Sequence, residues 1–144
     1  MVADIGSDHA YLPIWLYLNK KIERAYAVDK SEKCVARGRA NLKKYNIPEN
    51  IVTPVVSDGL EWLEANGVMP QLTDITVAGM GGETIAEIIQ NARGVNLVLQ
   101  PNSKAGVLRE FLIENGFEIL GETAAAHNKR TYTVINATKQ GENL

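Results

Sequence analysis

One cysteine in 144 residues leaves Cys34 nothing to pair with inside the chain, so no internal disulfide exists and a reducing cytoplasm is the expected location. Histidine is nearly as scarce. His9 and His127 lie far apart, and with one cysteine they make no zinc-ligand set, so no metal is expected. No apolar run approaches the ~18 residues a membrane span needs, and no membrane partner is expected. The start lacks the basic n-region and small-residue cleavage site of a signal peptide. Internal repeats, low-complexity tracts and an interdomain linker are also missing. A net charge of −2 gives no whole-chain signal for nucleic acid, and nothing in the sequence sets the oligomeric state.

What is present describes a folded domain. Hydrophobic residues make up 45% and charged residues 22%, enough for one sizeable core. Charge is unevenly spread. Residues 1–50 carry nine Lys and Arg against six Asp and Glu, whereas residues 51–100 carry one against six. The basic set Lys20, Lys21, Arg24, Lys30, Lys33, Arg37, Arg39, Lys43 and Lys44 reads either as a phosphate-contacting face or as an ordinary solvated helix surface.

Strands and helices alternate from the first residue, which predicts an α/β fold with a mostly parallel sheet. Val2–Ile5 is a short apolar strand, and Leu12–Asn19 a helix apolar nearly all round, expected to be covered on several sides. Residues 24–29 form the second strand. Ser31 caps a helix that runs to about Tyr45, weakened by Gly38. Ile51–Val56, Asp74–Ala78 and Val95–Leu99 are further strands, and a short helix covers Leu60–Ala65. A Gly-rich loop, Gly79-Met80-Gly81-Gly82, precedes a helix to Asn91. Ser103 is the expected cap of a helix to Asn115, with Val107, Leu108, Phe111 and Leu112 inward. Phe117–Thr123 and Thr131–Ala137 have no helix between them and should pair antiparallel. Residues 1–137 are the expected core and 138–144 a frayed polar tail. Trp15 and Trp62 read as packing residues, and His127 as solvated.

The chemistry concentrates at strand ends. Val2–Pro13 reads V-A-D-I-G-S-D-H-A-Y-L-P: a strand, a Gly turn and a helix start, where backbone N–H groups face a ligand. This is not a G-x-G-x-x-G pyrophosphate cradle, because Asp8 stands where the second Gly belongs and would repel an anion. A sulfonium ligand tolerates Asp8. Asp29, closing the second strand, can accept both ribose hydroxyls, and Asp58, after the third, an adenine amine. Asp4, Asp29 and Asp58 at successive strand ends should converge at the crevice where open α/β sheets bind ligands. Gly79–Gly82 permits close approach of a substrate, and Gln100-Pro101-Asn102 offers amides to a base edge. His9 is a polar contact for substrate or a structural residue.

The stretches D-I-G-S-D-H-A-Y-L-P, A-V-D, S-D-G-L, A-G-M-G-G and L-Q-P-N, in that order from Val2 to about Ala137, resemble the bacterial TrmK-type tRNA (adenine-N(1))-methyltransferases. The resemblance implies a Rossmann-like class I methyltransferase fold with a seven-stranded, mostly parallel sheet, the last strand antiparallel and helices on both faces. It implies S-adenosylmethionine as donor and the adenine at tRNA position 22 as target. By position, Asp4, Gly6, Ser7, Asp29, Lys30, Asp58, Gly59 and Gly79 would hold the donor. His9, Tyr11, Met80, Gly81 and Gln100 would contact substrate, with Gly79 also near the target base. Asp8 and Asn102 would be the catalytic pair, Asp8 stabilising the positive charge that develops on adenine. Family members carry helical residues before the first strand and a C-terminal, coiled-coil-like domain implicated in tRNA binding. Neither is in this sequence, so weak tRNA binding is the expectation. The alternatives are an NAD-dependent oxidoreductase and a non-catalytic nucleotide-binding module.

Overall fold

In the computed structural model, which describes residues 1–141, the chain divides into two compact units, Met1–Thr73 and a second from Asp74 onward.

In the first unit, β1 (Val2–Ile5), β2 (Ala25–Asp29) and β3 (Val52–Val56) pair in parallel in the order β3-β2-β1. Every residue of β1 and the first four of β2 are buried, which is why these strands read as continuous apolar runs rather than alternating ones. Helices α1 (Tyr11–Leu18), α2 (Glu32–Lys44) and α3 (Glu61–Ala65) connect and follow the strands. Ser31 caps α2 as expected, its hydroxyl accepting the Cys34 N–H at 3.3 Å, an interaction worth about 1 kcal/mol. The core of this unit gathers Ala10, Ile14, Ala25, Leu42, Ile47 and Val52. Trp62 packs against Tyr26, ring centroids 5.8 Å apart.

Helix α1 departs from expectation. Only Pro13 and Ile14 are buried. Tyr11, Leu12, Trp15 and Leu18 are exposed, Trp15 by 55%, and with Ile14 and Tyr45 they line an open apolar groove. An apolar sequence all round a helix predicts cover on all sides, and within the described residues one face of α1 has none.

In the second unit, β4 (Asp74–Gly81), β5 (Val95–Ser103), β6 (Glu118–His127) and β7 (Arg130–Lys139) follow the order β4-β5-β7-β6, with α4 (Gly82–Ile89) and α5 (Ala105–Glu114). β4 and β5 are parallel; β7 runs antiparallel to both β5 and β6. The expected hairpin is present and longer than predicted. Its strands extend to His127 and Arg130, leaving a two-residue turn, Asn128-Lys129, with φ of 48° and 63°. Two consecutive left-handed residues match the twist of the flanking strands. β7 continues to Lys139, so Thr138 and Lys139 are sheet rather than tail. Residues 142–144 of that tail lie outside the described residues.

Three details of this unit correct the sequence reading. The Gly-rich stretch is not a loop: β4 runs through Gly81, and α4 starts at Gly82. The cap of α5 is Lys104, in the left-handed region with φ 55°, rather than Ser103, and no side chain caps the helix. Of the expected α5 stripe, Leu108 and Leu112 are fully buried, but Val107 is 42% exposed.

Candidate functional site

The residues expected to hold a ligand form two groups, one in each unit. In the first unit, the chain leaves β1 through Gly6, whose φ of 73° is open to glycine at little cost. The N–H groups of Gly6 and Ser7 both donate to the Val28 carbonyl, at 2.8 and 2.9 Å, which ties the turn to β2. Asp8 and Ala10 follow with φ of 51° and 61°, sparsely populated for residues with a Cβ. Such a turn persists only where its surroundings over-determine it, and here they do. The Asp8 N–H donates to Asp29 Oδ2 at 3.1 Å, and Asn41 of α2 donates its side-chain N–H to the His9 carbonyl at 2.8 Å. Gly38 lies against the same turn: a Cβ there would stand 3.4 Å from both the Ala10 Cβ and the Asp8 carbonyl oxygen. Close approach of α2 to the turn thus accounts for a helix-interior glycine that propensity alone disfavours.

Asp29 closes β2 and braces two turns at once. Besides accepting from Asp8, it accepts the Ser31 N–H on Oδ1 at 3.0 Å. A carboxylate offers about four acceptor positions, so two are left for a ligand. Asp4 is buried in β1, the first of the three acids. Asp58 lies just beyond β3 with its side chain exposed, beside Gly59 with φ 55°. All three belong to the C-terminal ends of parallel strands in one sheet, as expected. Lys30 is exposed next to Asp29. Among the described residues the buried Ser7 hydroxyl oxygen has no hydrogen-bond partner, an acceptor and donor left open inside the turn.

The Asp8 carboxylate has charged neighbours. His9 Nδ1 lies 3.0 Å from Oδ2, and the Arg37 guanidinium 3.3 Å from Oδ1, close enough for ion pairing but without hydrogen-bond geometry. Hydrogen bonding with the Cys34 thiol, together with the His9 and Arg37 charges, outweighs partial desolvation and holds the Asp8 carboxyl below its ordinary range. Asp8 therefore stays ionised. His9 stacks on Tyr11, ring centroids 5.0 Å apart and ring planes nearly parallel. The basic face is smaller than the sequence predicts, because Arg37 pairs with Asp8 and Arg39 with Glu49 at 2.8 Å. Asn41, which the sequence reading passed over, supports the turn; an asparagine at a helix position carries no signal by itself.

In the second unit, Gly79, Met80 and Gly81 form the end of β4 beside Gln100 and Asn102 of β5. The ladder is irregular here: Ala78 pairs with Gln100, then Met80 with Pro101, then Gly81 with Ser103. Pro101 has no N–H to donate, and β4 bulges opposite it. Gly79, with φ 81°, turns its N–H to the Gln100 side chain, Oε1 accepting at 3.0 Å. Gln100 Nε2 donates in turn to Asn102 Oδ1 at 3.1 Å. Among the described residues no cluster of three or more His, Cys, Asp or Glu side chains fits a metal, and no helix is long and apolar enough to cross a membrane.

Residues 1–135 match a family model described as a methyltransferase domain. A tRNA (adenine(22)-N(1))-methyltransferase of Bacillus subtilis is 32% identical over 142 residues, which is 95% of this chain and 58% of that protein. The structure of M. capricolum TrmK in complex with S-adenosyl-homocysteine superposes with a TM-score of 0.86 at 29% identity, covering 99% of this chain and 64% of that one. A Streptococcus pneumoniae structure in complex with S-adenosyl-L-methionine gives a TM-score of 0.87 at 30% identity, over 99% of this chain and 67% of that one. The chain thus spans about three fifths of the Bacillus subtilis relative's length. Its fold is Rossmann-like, with seven strands, mostly parallel, and β7 antiparallel.

Proposed function

Since this chain belongs to the methyltransferase-domain family, we propose that it transfers a methyl group from S-adenosylmethionine to N1 of an adenine in tRNA, the adenine at position 22. Its core runs past residue 137 to the end of β7 at Lys139, and the cytoplasm is its place of work. The observation that carries the reading is the braced first turn. An ionised carboxylate, Asp8, stands where a dinucleotide-binding turn needs a glycine to admit a pyrophosphate. That charge disfavours a phosphate and suits a sulfonium, which leaves the NAD-dependent oxidoreductase without support.

The residues present fit such a donor. Gly6 lets the ligand approach the backbone, and Ser7 has a buried hydroxyl in need of a partner. Asp29 has two acceptor positions left for the ribose hydroxyls, and Asp58 can accept from the adenine amine. Asp4, Lys30, Gly59 and Gly79 complete the donor set. S-adenosylmethionine supplies an electrophilic methyl on sulfur. Adenine N1 carries a lone pair, so no residue need deprotonate it, and the work left to the chain is alignment and electrostatics. Asp8 offers a fixed negative charge to the cation formed on adenine. His9, Tyr11, Met80, Gly81, Gln100 and Asn102 are assigned to the base and its neighbours. In a paired stem N1 is occupied, so the base must leave the stack.

The test is transfer of labelled methyl from S-adenosylmethionine to a tRNA transcript, with the modified position read as a reverse-transcription stop. A stop at the target adenine is the expected result. Labelling elsewhere, or on protein, would overturn the assignment of the target. In the same samples tRNA should bind with a Kd on the order of 10⁻⁴–10⁻⁶ M and fall steeply with salt, because the unpaired surface lysines act through counterion release.

A further inference from the structure

The Gln100–Asn102 pair has a fixed polarity, and its origin is a backbone group. The Gly79 N–H can only donate. It therefore selects the carbonyl end of the Gln100 amide, Oε1, at 3.0 Å. The amine end of Gln100 must then point the other way, where it lies 3.1 Å from the Asn102 side chain. An amine needs an acceptor, so it holds Oδ1 of Asn102 and leaves the Asn102 amine, with two N–H groups, outermost. The order of donors and acceptors follows from Gly79 alone. Asn102 is exposed, and among the described residues its Nδ2 donates to no protein acceptor.

We infer that Gln100 is a positioning residue that fixes Asn102 as a hydrogen-bond donor toward the target base, so that Asn102 reads a ring-nitrogen acceptor and leaves the attacking lone pair alone. This rests on the methyl-transfer reading above. Adenine offers three ring acceptors, N1, N3 and N7. A donor on N1 would occupy the electron pair that forms the new bond, so Asn102 takes N3 or N7. With the opposite polarity, Oδ1 outward, it would meet those nitrogens lone pair to lone pair. The site therefore tells an acceptor edge from a donor edge before any chemistry takes place. The pair sits at the bulge opposite Pro101, where the Gly79 N–H goes to a side chain of β5 rather than into the regular ladder.

Two substitutions separate positioning from mere support. In Gln100→Glu the carboxylate still accepts from Gly79, but it now presents an acceptor to Asn102, which must turn its amine inward and its Oδ1 outward. In Gln100→Ala the Asn102 amide is released rather than reversed. The first readout is NMR of the side-chain amides. In the wild-type chain the Gln100 amine should exchange slowly and the Asn102 amine fast, and in Gln100→Glu the Asn102 amine should become the slow one. The second readout is methyl transfer to tRNA. Gln100→Glu should lose about 10- to 100-fold in kcat/KM, the scale of one correctly or wrongly paired base contact, and Gln100→Ala clearly less. S-adenosylhomocysteine affinity should be unchanged in both. With the wild type, a tRNA carrying 3-deaza- or 7-deazaadenosine at the target should show which nitrogen is read. A protected Asn102 amine in the wild type, or a Gln100→Glu variant no worse than Gln100→Ala, would overturn the inference. Loss of the methyl-transfer reading looks different: the wild type then moves no methyl to tRNA, and the amide signals alone decide the polarity of the pair.

Discussion

Asp29 holds the backbone of Asp8 in place. Its Oδ2 accepts the Asp8 N–H at 3.1 Å across 21 residues of sequence, while Oδ1 accepts the Ser31 N–H at 3.0 Å. One carboxylate thereby joins the turn after β1 to the turn after β2, and stabilises a residue at φ 51° that would otherwise relax. The assignment of Asp29 to the donor ribose and its role in shaping the turn are two uses of the same group.

Removing it should show both. Asp29→Ala is expected to weaken S-adenosylhomocysteine binding by roughly 1.5–3 kcal/mol, the range for hydrogen bonds to a charged group, and to lower the melting temperature as well. Asp58→Ala should weaken binding without the loss of stability, because among the described residues no hydrogen bond or ion pair engages the exposed Asp58 carboxylate. Calorimetric titration and thermal melts on the two variants check this. An unchanged dissociation constant in folded Asp29→Ala would remove Asp29 from the donor site.

Asp8 gives a pH prediction with a definite sign. Its folded value lies below the ordinary 3.8, so the stability it adds is fully present above that value and is lost as pH falls through the lowered folded value. The side chain is 48% exposed, so the contribution is at most about 1 kcal/mol. Asn tolerates the left-handed backbone, so Asp8→Asn removes the charge without straining the turn. Denaturant unfolding at pH 7 should find the variant slightly less stable than the wild type, and the two should converge below the ordinary value. A gap that persists undiminished well below the ordinary value would contradict the lowered Asp8 carboxyl.

Three glycines of the second unit should respond differently to alanine. At Gly82 a Cβ would collide with the Lys104 carbonyl oxygen, a backbone atom that cannot swing away. Overpacking of that kind costs about 1–3 kcal/mol, a melting shift of roughly 4–10 °C at this size. At Gly81 the Cβ would stand 3.3 Å from the Ser103 hydroxyl, which can rotate, so the loss should be smaller. At Gly106, inside α5, nothing lies within 4 Å, and Ala should add up to about 1 kcal/mol. Thermal melts that rank the three in another order would show that α4 does not start against Lys104.

Much of this was legible in the residues. Strands buried on both faces, a Ser31 cap, a Gly6 turn and an antiparallel final pair all follow from short-range chemistry: apolar period, propensity, and the absence of any helix between β6 and β7. The acids at the ends of β1 and β2 and just beyond β3 were visible for the same reason, since strand ends in one parallel sheet lie on one edge wherever the helices pack.

By itself, then, the sequence determined the alternation of elements, the chemistry at their ends and the family. Those are properties of residues a few places apart. Only the tertiary structure decided that Asp29 bonds Asp8, that Gly38 makes room for the turn at Ala10, and that Gln100 orients Asn102 from the Gly79 N–H. Each joins positions brought together by sheet register or helix packing, or depends on a bulge that no local preference specifies. The same holds for α1: its apolar residues announce a helix with much to bury, but which face is covered depends on what packs there, and here Trp15 and its neighbours stand open. Periodicity reports how much a segment has to hide; only the packed chain decides what it is hidden against.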